Sequence, residues 1–233
     1  MTSTTGALPD GIDAGDEDGD GPVKPKLRGV LHELAFFVSL VSGAWLVWDA
    51  PTTSSKLICL VYACAISSLF GVSALFHRHT WGPVGRRRMR RADHSTIFIA
   101  IAGSYTAVAG IALTGWARAT VLVIVWGGAI VGITLRQLWL DAPKWVIALP
   151  YVVVGWAAVA VLPQLERALG PTGFVLLLVG GLAYSAGAVV YAVKKPNPVP
   201  GVFGYHEVFH ACTIVGAVFH FVVIAWFVLP LAG

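Results

Sequence analysis

Seven stretches of the chain are apolar for long enough to cross a bilayer, and polar or turn-forming residues separate them. They cover residues 30–48, 57–77, 93–114, 119–138, 145–163, 173–193 and 206–229. A helix rising 1.5 Å per residue needs roughly 20 residues to span about 30 Å of hydrocarbon, and each stretch approaches that length. The separators are short: Asp49-Ala50-Pro51, the arginine-rich stretch from Arg78 to Arg91, Gly115-Trp116, Asp141 to Lys144, Glu166 to Pro171, and Lys194 to Pro198. Charges, prolines and glycines in such clusters mark loops. The pattern predicts an all-α membrane protein, a seven-transmembrane helix bundle over residues 29–233. Residues 1–28, rich in Gly, Asp, Thr and Pro, are expected to form a disordered acidic tail and lack the apolar core of a cleavable signal peptide.

Composition sharpens this reading. Hydrophobic residues make up 57% of the 233 and charged residues only 12%, with a mean hydropathy of +0.76, which argues against a water-soluble globule. The net charge of +4 hides an asymmetry, because six of the twelve acids (Asp10, Asp13, Asp16, Glu17, Asp18 and Asp20) precede Pro22 and the remainder carries +10. The basic residues fall in the gaps between apolar runs, so membrane topology accounts for them and nucleic acid is not an expected partner. With the amino terminus in the cytoplasm, thirteen Lys and Arg lie on the inner side and only Lys56, Arg118 and Arg167 on the outer. That bias predicts a multi-pass protein of the cell membrane with its amino terminus cytoplasmic and its carboxyl terminus outside. Arg136, at the inner end of the fourth run, is expected to snorkel to the headgroups.

Several tryptophans, among them Trp45, Trp48, Trp116, Trp139 and Trp145, mark run ends, where interfacial anchors belong. Gly128 and Gly132 in the fourth run, and Gly180, Gly181 and Gly187 in the sixth, offer surfaces for close helix approach. Pro150 is expected to bend the fifth run. Cys59, Cys64 and Cys212 all fall inside apolar runs and read as buried thiols rather than a disulfide framework.

Ionisable groups are costly inside a bilayer, so the few that occur there are candidates for function. The acids and histidines in the seven runs are His32, Glu33, His77, Asp93, His94, His206, Glu207, His210 and His220. The alternating topology brings the inner ends of the second, third and seventh runs to one leaflet, and with them His77, Asp93 and His206. His206 and His210 are four residues apart, which places both imidazoles on one helical face about 6 Å apart. Such a pair either chelates a metal or simply hydrogen-bonds to neighbours. With His77 as a third nitrogen, the set suits Zn2+ with an open fourth position. Asp93 would then hold or deprotonate a bound water, or orient an imidazole. Ser73, one turn before His77 on the same face, either supports this site or bonds to its own helix backbone.

His94 lies about 100° round the helix from Asp93 and reads as an interfacial or helix-supporting group rather than a ligand. Glu207 points away from His206 and is expected to pair with an arginine at the inner surface. His220 is about 15 Å beyond His210 along the helix, too far to share its metal, and either lines a cavity or bonds within the core.

The segments Ser73-Ala-Leu-Phe-His77, Arg91-Ala-Asp93-His-Ser-Thr-Ile97 continuing to Ala102-Gly-Ser-Tyr105-Thr106, and Gly204-Tyr-His206-Glu-Val-Phe-His210 resemble the hemolysin III family of the progestin and adipoQ receptor superfamily. Arg28-Gly29 fits as well. The resemblance implies a zinc site in the cytoplasmic half of the bundle carried by Ser73, His77, Asp93, His206 and His210. One departure is visible in the first run, where Glu33 is followed by Phe36 and Leu40 rather than by Asn and His. No role for those two positions carries over.

Two classes of function remain open at this stage. A zinc-activated water whose pKa approaches about 7 would hydrolyse an amide or ester of a lipid, with Asp93 and Ser73 as catalytic groups. The receptor relatives are associated with ceramidase-like hydrolysis, and membrane lipids are the expected partners. Alternatively, structural zinc would hold the helices of a receptor or sensor. A cytolytic, pore-forming role finds no support in an amphipathic pattern.

Overall fold

In the computed structural model of the chain, residues 24–139 and 144–233 are described. Among them the regular elements are helices: α1 (Val30–Asp49), α2 (Thr53–Arg78), α3 (Pro83–Ala112), α4 (Gly115–Leu138), α5 (Lys144–Gly155), α6 (Leu162–Val193) and α7 (Tyr205–Val223). A 3-10 turn, Ala157–Val161, joins α5 to α6, and π and 3-10 turns extend α7 from Ile224 to Ala232. The expected tail falls mostly on residues 1–23, outside the described residues. Its last part, Lys24–Arg28, is packed: the Lys26 and Leu27 amides donate to the carbonyls of Gly201 and Val202 in the α6–α7 loop, at 3.1 and 3.2 Å.

Local chemistry sets the helix ends. α2 begins four residues earlier than expected because Thr52 and Ser55 form a capping box, each side chain accepting the other's backbone N–H at 3.1 and 3.0 Å. The arginine-rich stretch is not a loop beyond Gly82. Pro83 occupies the first turn of α3, where a missing N–H costs nothing, and the helix carries Arg86 to Arg91 with it. α7 starts at Gly204, whose N–H is taken by the Glu207 carboxylate at 2.7 Å.

Among the described residues six stretches, rather than the seven expected, are long and apolar enough to span a membrane: five are continuous with α1, α2, α3, α4 and α7, and one runs from Pro150 to Val193. The fifth and sixth apolar runs are joined in that last stretch for a physical reason. The expected Glu166–Pro171 loop is helical up to Leu169 and breaks only at Gly170, whose φ of 67° is open to glycine, just before Pro171. Pro150 lies inside α5, which continues past it to Gly155.

Neighbouring helices pair in chain order, α1 on α2, α2 on α3, α3 on α4, and α6 on α7, while α3 also touches α5, α6 and the turns after α7. Gly128, Gly132, Gly180 and Gly187 meet neighbouring helices closely as expected, whereas Gly181 has no side chain or backbone against it. Gly132 lies under the Phe98 ring and Gly128 under Val154, so α4 closes on α3 and α5. Trp48 and Trp116 are exposed at helix ends. Of the three free thiols Cys59 is buried, but Cys64 is exposed and Cys212 half-buried, which corrects the expectation for those two. Cys64 lies on an exposed face of α2, where a small apolar thiol is at home against lipid, and Cys212 packs against Gly187 of α6.

Candidate metal centre

The site forms where the end of α2 meets α3, the start of α7 and the start of α1. His77 closes the last turn of α2, and His206 and His210 occupy successive turns of α7 on one face. The nitrogen atoms that these three histidines can offer all lie within 4.8 Å of one another. Ring centroids are 4.7 Å apart for His77 and His206, 5.2 Å for His77 and His210, and 4.7 Å for His206 and His210. None of the three is more than 6% exposed. Asp93, on α3, holds its Oδ2 3.9 Å from His77 Nε2. Ser73 is buried one turn before His77 and lines the same cavity as Asp93, His206 and His210.

The chemistry of this set fits a zinc ion. Tetrahedral coordination at 2.0–2.1 Å puts ligand nitrogens about 3.4 Å apart, a small side-chain adjustment from the observed cluster. His77 Nε2 and His206 Nδ1 are enclosed yet have no hydrogen-bond partner. A buried nitrogen left without a partner costs about 1–3 kcal/mol, and a cation would supply the missing interaction at a ligating nitrogen.

Other polar groups separate into supporting roles. Arg136 does not snorkel: it is 3% exposed and its guanidinium meets His94 Nδ1 in the interior. The angle around α4 turns it toward α3, and Tyr151 of α5 completes the node by donating to the His94 carbonyl at 3.0 Å. His94 thus supports helix packing, as its offset from Asp93 predicts. His220 takes both expected roles, bonding with the Leu177 carbonyl at 3.3 Å and lining the cavity. His79 is exposed beside Trp81. Glu33 reaches out to Arg78 at 2.9 Å, both half-exposed.

Glu207 finds its arginine inside the protein. The Arg28 Nε lies 2.5 Å from Glu207 Oε1, with the two side chains 3% and 1% exposed. Gly29, at φ 82°, packs against the Cβ of His77, so this ion pair clamps the chain before α1 across the ends of α2 and α7. Removing one partner strands a buried charge. Arg28→Met is expected to destabilise the fold by about 3–5 kcal/mol, and Arg28→Met with Glu207→Met to recover much of that loss. Thermal unfolding in detergent checks both. A single variant as stable as the wild type would contradict the clamp.

His32 is the residue that the sequence reading placed too vaguely. Its ring stacks face to face on His210, with centroids 3.8 Å apart and planes 13° from parallel, and its side chain is buried. A signal was present: His32, Ser39, Gly43 and Leu46 form the buried stripe of α1, at helical spacing, whereas Glu33 lies off it.

The cavity has a volume of about 540 Å³ and is mainly apolar. It is lined along α3 from Asp93 through Ile101 and Val108 to Leu113, twenty residues, or about 30 Å of helix rise.

Comparison with known proteins agrees with the motifs. Residues 21–221 match the family described as Haemolysin-III related. The chain is 32% identical over 209 residues to Hemolysin-3 of Bacillus cereus, covering 88% of this chain and 92% of that protein. It is 28% identical over 184 residues to the Hemolysin-3 homolog of Bacillus subtilis (strain 168), covering 79% and 80%.

Proposed function

The chain belongs to the haemolysin III family of the progestin and adipoQ receptor superfamily and is a multi-pass membrane protein, and from that membership and the histidine cluster we propose that it is a zinc-dependent hydrolase acting on an amide of a membrane lipid. The observation that carries this reading is the convergence of His77, His206 and His210, three buried imidazoles from two helices, on one small volume beside Asp93. In the same reading the chain crosses the bilayer seven times, with the break at Gly170 dividing the Pro150–Val193 stretch, and the site faces the cytoplasmic leaflet.

His77, His206 and His210 would hold the ion, which supplies a water of lowered pKa and polarises a carbonyl. The remaining work falls to the chain. Asp93 takes a proton from the attacking water and delivers it to the amine as the C–N bond breaks, giving a carboxylic acid and a free amine. Ser73 offers a hydroxyl to the carbonyl or the water. The apolar walls between Asp93 and Leu113 hold an alkyl chain and exclude bulk water, which selects substrates that partition into the bilayer.

Incubating purified protein with a panel of ceramides and acyl-amides tests this reading, with released fatty acid measured by mass spectrometry. Zinc-dependent release supports hydrolysis. No release with zinc bound would favour a receptor or sensor held together by structural zinc.

A protein beginning at Lys24, which keeps the Lys26 and Leu27 contacts to the α6–α7 loop, is expected to insert and to bind metal like the full chain. Metal analysis of the truncated protein checks this, and loss of zinc from a folded truncation would contradict it.

A further inference from the structure

We propose that His32 is the positioning residue of the metal centre, setting the plane of the His210 imidazole by stacking on its face without ligating the metal. The inference rests on the zinc reading above. A metal bound by an imidazole lies in the ring plane, along the nitrogen lone pair, at about 2.0–2.1 Å. The His32 ring is nearly parallel to that of His210 and displaced by a full stacking distance. Its own lone pairs lie in a second, parallel plane and pass beside an ion held by His210. This geometry separates His32 from the three ligands although it is equally buried.

A ligating His210 is held better when its ring orientation is fixed by a neighbour. Ligating histidines are usually fixed by a hydrogen bond from their second nitrogen, and loss of that partner costs about 10–100-fold in metal affinity. Here a ring face does the equivalent work. His32 is itself wedged by the edge of Phe70, at a centroid distance of 5.1 Å and 61° between planes, so α2 holds α1's histidine against α7's ligand. Coordination draws electron density from the His210 ring, and an electron-rich neighbouring face becomes a better partner for it. The stack therefore strengthens when the ion binds.

The test compares His32→Leu, which keeps bulk and removes the π face, with His32→Phe, which restores it. Zinc affinity is read by chelator competition on the full-length protein, and ligand geometry by the d–d absorption of the Co2+-loaded form. His32→Leu is expected to weaken zinc about tenfold or more and to alter the Co2+ bands. His32→Phe is expected to recover most of the affinity and the wild-type spectrum. If the leucine variant fails to fold, His32→Gln takes its place with the same expected loss. Wild-type affinity in the leucine or glutamine variant would overturn the proposal, as would a phenylalanine variant as defective as leucine, because the nitrogens would then be the active part. A wild-type protein that binds no metal would instead overturn the zinc reading itself, and this inference with it.

Discussion

Replacing both His206 and His210 with alanine should abolish zinc binding. Two of the three nitrogens disappear, and His77 with Asp93 nearby cannot hold the ion at comparable affinity. The loss should also appear as instability, because a metal present at about 1,000 times its Kd contributes about 4.1 kcal/mol to the folded state. His210→Ala alone should remove most of the metal. In the wild type, affinity should fall as pH is lowered, since protons compete for the lone pairs that the metal needs, and it should recover as pH rises. Zinc content of purified variants, measured beside thermal unfolding with and without chelator, checks all three statements. Full occupancy in the double variant would remove α7 from the site.

The second large effect concerns Asp93. Asp93→Asn keeps the size of the side chain and part of its hydrogen bonding but removes the base. If the site hydrolyses a lipid amide, zinc should remain while turnover falls by roughly 10²-fold or more. The anionic carboxylate also offsets the charge of the ion, so zinc content and released fatty acid must be measured on the same sample. A zinc-replete Asp93→Asn protein with undiminished turnover would exclude the carboxylate from the chemistry.

The candidate site was legible because two independent features of the sequence agree. The four-residue spacing of His206 and His210 fixes a shared face, and the order of the apolar runs leads His77, Asp93 and His206 to one end of the bundle. Both survive an error of several residues in any helix boundary. The features that the sequence left obscure depend instead on the angle at which a helix meets its neighbours. Arg136 was read from its depth near a helix end, but rotation about α4 turns it inward to His94. His32 sits at a similar depth, and only the buried stripe through Ser39 and Leu46 separates it from the outward-facing Glu33. That Glu166 to Leu169 are helical rather than a loop was obscure for a different reason. A Gly-Pro pair breaks a helix in one residue without the polar loop that usually announces a turn, so Glu166 to Leu169 stay helical.

X-ray absorption at the zinc edge of the purified full-length protein tests the central claim most directly. Near one zinc per chain is expected, with three imidazole nitrogens at about 2.0–2.1 Å and one oxygen ligand in a four-coordinate shell. A protein that retains no zinc, or one whose zinc shows sulfur ligation or no histidine scattering, would contradict the account.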